Sequence, residues 1–224
     1  MAVVAYGLGG CASRGYEQGD AAADGMRKAA MEVEAESAAL DQAVAAMNTM
    51  VNEPVPDLRV GFRTYSQSLD RLIAAARRTE STGRKMEAKS ALYLATWSRQ
   101  LQDIDYGHIR EVSDARWVEV TNRVEAINRR YRESQAAVQP LVSYLSDIRT
   151  ALGADLTTAG LDSMKGVAQN AQNNVSKVQT SLDALAAELT NSSARLSSVA
   201  YQAPRGPEAP GLPRANTNSV EQGR

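Results

Sequence analysis

Small and apolar side chains recur along this chain with gaps that alternate between three and four residues, in four separate stretches. That spacing is the seam of long helices packed on one another, and it leaves no room for the strict alternation of a strand. The first stretch runs Met26, Ala30, Val33, Ser37, Leu40, Val44, Met47, Val51, with Asp20 or Asp24 available as its cap. It stops at Asn52-Glu53-Pro54-Val55-Pro56, where two prolines remove donors and push their predecessors out of helical geometry.

Asp57 caps a second stretch that carries Leu58, Phe62, Tyr65, Leu69, Leu72, Met86, Tyr93, Trp97 and Ile104 in register, a rod of about 70 Å. Thr79 and Gly83 fall on its seam and predict loose packing or a gap there. The phase is lost near Asp105-Tyr106-Gly107-His108, and Ser113 with Asp114 reads as the cap of a third helix reaching Leu152. Pro140 inside it predicts a kink, and Gly153 is placed as its C-terminal cap. A fourth helix carries Leu161 through Val199, with an outer face of amides (Asn170, Gln172, Asn173, Asn174) that suits either a subunit contact or an ordinary neutral surface. From Tyr201 the prolines at 204, 207, 210 and 213 mark an extended or disordered tail over residues 201–224.

The composition agrees: 43% of the residues are apolar and 5% aromatic, and 37 are alanine, which makes for thin helices. Seams of this length cannot be buried alone. The predicted fold is therefore all-α, an elongated antiparallel coiled-coil bundle of three to four long helices over residues 20–200.

The N-terminal segment points elsewhere. Residues 1–10 are uncharged and lead to the single cysteine as Leu8-Gly9-Gly10-Cys11, which resembles a bacterial lipobox. On that reading residues 1–10 are a truncated signal segment, Cys11 is the lipidated residue, and residues 11–19 are a flexible tether. Two acyl chains on Cys11 hold a membrane stably where one would be marginal. Ala12 takes the place of the aspartate that marks inner-membrane retention, which favours the outer membrane. Without processing, the address would be cytoplasmic.

Chemistry is scarce in the rest of the chain. One cysteine and one histidine supply neither a disulfide nor a four-ligand zinc site, and His108 reads as a solvated turn residue or a donor to helix-end carbonyls. Glu32, Glu34 and Glu36 alternate on a helix, so they point apart and read as a solvated acidic face. No phosphate loop, metal cluster or nucleophile with its base is legible, so neither an enzyme, a cofactor nor a small-molecule substrate is expected. The aromatics Tyr93, Trp97, Trp117 and Tyr131 fall on seams and are expected in the core, Trp97 near Trp117.

The net charge is −1, yet the signs are segregated: residues 1–57 sum to −6, residues 58–132 to +6 and residues 133–224 to −1. The cations gather at Arg77, Arg78, Arg84, Lys85 and Lys89, and again at Arg123, Arg129, Arg130 and Arg132. Folding about the turn near Gly107 brings the two groups to one height on the bundle. This zone is either a docking surface for lipid headgroups, an anionic envelope polymer or an acidic partner, or it is neutralised by the acidic first helix. With the aromatics on the seams rather than among the arginines, nucleic acid is not an expected partner.

From about Leu58 to Leu189 the chain resembles a bacterial lipoprotein family catalogued as domain of unknown function twenty-nine fifty-nine. The likeness lies in Tyr93-x-x-x-Trp97-x-x-x-Leu101, Ile109-Arg110-x-x-Ser113, Arg129-Arg130-Tyr131, Pro140-Leu141-x-x-x-Leu145-x-Asp147, Leu152, Leu156, Leu161 and Lys165-Gly166. The resemblance implies a lipobox-bearing signal peptide, a coiled-coil body and a cell-envelope location, and no activity. The expected function is that of a lipid-anchored structural or interaction protein, engaging envelope partners or copies of itself. The alternative is a membrane-remodelling or pore-forming helical protein, for which the Ala43-Val44-Ala45-Ala46 region is the insertion candidate.

Overall fold

A computed structural model describes residues 15–199, so the expected signal segment, Cys11 and the tail over 201–224 lie outside the described residues. Four helices follow one another: α1 (Gly15–Asn52), α2 (Leu58–Gln102), α3 (Gly107–Ala154) and α4 (Thr158–Leu196). The shortest has 38 residues and the longest 48, so each is about 55–70 Å long. Their contacts form a ring in which α1 packs on α2, α2 on α3, α3 on α4 and α4 back on α1. Each neighbour runs antiparallel to the last. Gly19 meets Tyr93 while Gly61 meets Met50, and Ser193 bonds the carbonyl of Ala23 while Asn48 bonds Gln172. α1 thus closes the bundle.

The diagonally opposed helices α1 and α3 bury different kinds of surface. α1 turns Gly19, Ala22, Ala23, Gly25, Ala29 and Ala30 inward, and it makes more extensive contacts with both neighbours than α3 does. Small residues let backbones approach, whereas the Val124, Ile127, Tyr131, Leu141 and Leu145 seam of α3 holds that helix further off. One apolar core, from Met26 to Leu189 in sequence, runs along the axis between them.

Several boundaries differ from the sequence reading, and each difference has a tertiary cause. α1 is already helical at Gly15, inside the expected tether, and its first described turns pack: Gly19 is buried against the Tyr93 ring. Asp20 is accordingly not the cap of α1. It accepts hydrogen bonds from the Ser198 amide and the Ser198 hydroxyl, both at 2.6 Å, and secures the exit of α4. These bonds hold the Asp20 carboxyl below its ordinary value of 3.8. A depressed carboxyl contributes stability that is present above the unfolded-state value and lost as pH falls through the folded one. Amide exchange at Ser198 is therefore expected to accelerate below about pH 4 in the native protein, and to be fast and pH-insensitive in Asp20→Ala once intrinsic exchange is corrected for.

α3 begins at Gly107 rather than at Ser113. The Tyr106 side chain makes no cap bond, but the Arg110 guanidinium donates to the carbonyl of Ile104, closing the short turn with a charge at a helix end. His108 consequently sits in the first turn of α3, exposed. Ser113 is inside the helix, where its hydroxyl accepts from Trp97 Nε1, while Trp117 Nε1 donates to the Leu94 carbonyl. The two half-buried indoles thus stitch α2 to α3 in opposite directions. Pro140 lies on the exposed side of α3, which continues through it to Ala154, and Asp155 rather than Gly153 is the C-cap.

The expected gap at Thr79 and Gly83 is filled. Both are buried, and the Tyr131 ring lies over Gly83 so closely that a Cβ there would stand 2.2 Å from Cε1. The Tyr131 hydroxyl donates to the Thr79 carbonyl at 2.6 Å.

Candidate functional site

The two basic groups do come to one height, since Thr79 of α2 bonds Tyr131 of α3, but the bundle distributes them around its girth. Toward α1, Arg78 pairs with Glu32 at 3.2 Å and Lys89 with Asp24 at 3.7 Å. Over the α2/α3 groove, Arg84 pairs with Glu80 at 2.5 Å and Arg132 with Glu87 at 3.8 Å. Arg123 holds Glu119 within α3, and Arg130 reaches Glu188 of α4 at 2.5 Å. Arg77, Lys85 and Arg129 form no ion pair among the described residues. Most of the zone is thus neutralised, in part by the acidic first helix, and these exposed pairs contribute only about 0–1 kcal/mol each.

Three lysines gather in one place. Lys28, Lys85 and Lys89, with Glu32, line a groove of about 310 Å³ between α1 and α2, floored by Met86 and bordered by the exposed Met31. Lys28 and Lys89 share the single Asp24 carboxylate, which the Lys28 hydrogen bond above all holds below its ordinary value. Lys28 was outside the basic groups read from the sequence, because it lies in the acidic first helix and joins Lys85 only through the packing of α1 on α2.

The acidic trio resolves differently from its expected solvated face. Glu34 is exposed and Glu32 partly so, but Glu36 is 0% exposed. The signal was present in the spacing, since Glu36 lies three residues after Val33 and four before Leu40, both core positions. Its Oε2 accepts from Gln135 Nε2 of α3 at 3.0 Å, across the centre of the ring. Burial pushes its carboxyl up, against the pull of the Gln135 amide and the Thr79 hydroxyl.

Among the described residues no group of three metal-ligating side chains exists, and no helix is long and apolar enough to cross a membrane. Ala43 and Val44, from the insertion candidate, are committed to the core. Tyr131 is in the core as expected, and Tyr93 and Trp97 are half-buried with ring centroids 5.6 Å apart.

These features define a class: an all-α, antiparallel four-helix bundle whose one buried carboxyl, Glu36, lies at mid-length among the described residues. The chain belongs to the family described as protein of unknown function (DUF2959), whose model matches residues 9–195. No curated protein and no solved structure matches it.

Proposed function

We propose that this protein is a lipid-anchored, non-catalytic rod of the bacterial cell envelope that presents its sides to envelope partners or to copies of itself. The observation that supports the reading is how near the packed bundle comes to the lipobox cysteine: α1 is already helical at Gly15, four residues after Cys11. Acyl chains on Cys11 would therefore tie down the end of the bundle that also holds the α2/α3 turn. The groove of Lys28, Lys85 and Lys89 supports an anionic partner along the side of the rod rather than at its tip.

The test is membrane fractionation with intact N-terminal mass, on native protein and Cys11→Ala expressed from the genomic locus with its upstream sequence. Acylated wild type in the membrane and a soluble variant are the expected results. Soluble, unmodified wild type retaining Met1 overturns the proposal. Leakage of liposomes caused by the soluble body would favour membrane remodelling instead.

A further inference from the structure

Two buried oxygen atoms at the middle of the bundle have no hydrogen-bond partner, and they belong to two side chains already bonded to each other. Gln135 Nε2 donates to Glu36 Oε2, while Glu36 Oε1 and Gln135 Oε1 are both left without a donor. A buried acceptor without a donor costs about 1–3 kcal/mol, more if charged, so a pair of them needs an explanation. One hydrogen atom supplies it. A carboxylic acid and a primary amide have complementary edges: the amide N–H donates to one carboxyl oxygen, and the acid O–H donates to the amide oxygen.

We propose that Glu36 is a buried proton-binding site: it carries a proton taken from solvent in the closed bundle and forms a two-bond clasp with Gln135 between α1 and α3. α1 and α3 stand diagonally with no close backbone approach among the described residues, and the clasp is a polar link between them within the shared apolar core.

Burial outweighs the pull of the Gln135 and Thr79 hydrogen bonds, and no cation around the carboxyl favours its ionisation. On α1 itself the nearest charged neighbour is Glu32, one turn back, which is engaged by Arg78. From α2, the single Thr79 hydroxyl hydrogen is already within bonding distance of the Ala75 and Glu32 carbonyls, so it serves the carboxyl only by leaving them. From α3, Tyr131 is kept un-ionised by burial above all, and Arg132 is turned to Glu87. From α4, Asp183 accepts from Ser37 and offers only negative charge. No lysine or arginine lowers the Glu36 carboxyl. Gln135 also lines a surface groove of about 230 Å³ with Gly83, Tyr131, Arg84 and Arg132, which gives the proton a route to solvent.

A group whose folded pKa is raised contributes stability that is complete below the unfolded value of 4.5 and lost as pH rises through the folded one. Deprotonation leaves the carboxylate facing the Gln135 amide oxygen, which opens the clasp and loosens the middle of the bundle. The depressed carboxyls, Asp20 and Asp24 among them, act in the opposite sense and only in the acid range.

Glu36→Gln tests the site because glutamine reproduces the donor and acceptor edges of the neutral acid at every pH. Between about pH 5 and pH 9 the melting temperature of the native protein is expected to fall relative to that of Glu36→Gln, with the variant higher by about 5 °C at the alkaline end. The side-chain carboxyl carbon of Glu36, followed by NMR in the full chain, should titrate above the ordinary carboxylate range. Gln135→Leu, which removes the partner, should shift that titration and abolish the advantage of Glu36→Gln. Parallel melting profiles for native protein and Glu36→Gln, or a Glu36 carboxyl already ionised at about pH 5, would overturn the proposal.

Discussion

Replacing Gly83 by alanine is expected to destabilise the bundle by about 1–3 kcal/mol, although alanine is the better helix former by roughly 1 kcal/mol. The added Cβ would meet three ring atoms of Tyr131 at 2.2, 2.7 and 2.9 Å. The ring cannot swing aside cheaply. It is 3% exposed, and its hydroxyl is bound to the Thr79 carbonyl one turn from the glycine. The choice is between pushing α3 away from α2, which opens the core, and forcing Tyr131 off its rotamer, which breaks that bond. Chemical denaturation should show a lower midpoint with an unchanged slope. Tyr131→Leu combined with Gly83→Ala should cost less than the two single changes together, because the smaller side chain vacates the space the methyl needs. A stabilised Gly83→Ala would mean that the two helices do not approach as described.

Tyr65→Ala is expected to be larger still, about 3–5 kcal/mol, which is a third or more of the stability of an ordinary domain. Tyr65 is 0% exposed among Leu69, Leu145 and their neighbours, and its hydroxyl donates to the Leu145 carbonyl at 2.6 Å. Alanine leaves a ring-sized cavity between two long, stiff helices that collapse poorly around it. Tyr65→Phe separates the two contributions. It keeps the volume, and because the Leu145 carbonyl retains its place in the helix ladder, the loss should be only about 1 kcal/mol. For a chain of this length the alanine variant should melt roughly 10 °C lower, read by thermal circular dichroism. Equal losses in both variants would place the weight on the hydrogen bond rather than on packing.

The four helices, their order and most of their buried positions were legible because the seam is periodic and each helix spans many turns. Pro54, Pro56 and Asp57 marked a break by local chemistry, and the structure uses Asp57 as an N-cap. Local signals failed where a distant element supplied the missing partner. Ser113 looked like a cap, but the indole of Trp97 takes its hydroxyl, and Arg110 closes the turn instead. Asp20 looked like a cap of its own helix and serves α4. The candidate site was legible only as a list of cations. That Lys28 joins Lys85 and Lys89, while Arg130 departs toward Glu188, depends on which neighbour each face meets.

By itself, then, the sequence determined an all-α chain of four long amphipathic helices, since a sustained three-and-four spacing can be buried in no other way. The tertiary structure alone decided that α1 closes the ring, that Tyr131 fills the space over Gly83, and that Glu36 faces Gln135 at the centre. The reason is geometric. A seam says which side of a helix is buried, whereas the register between helices, and with it the pairing of polar groups, is set by how side chains from separate segments fill one shared volume.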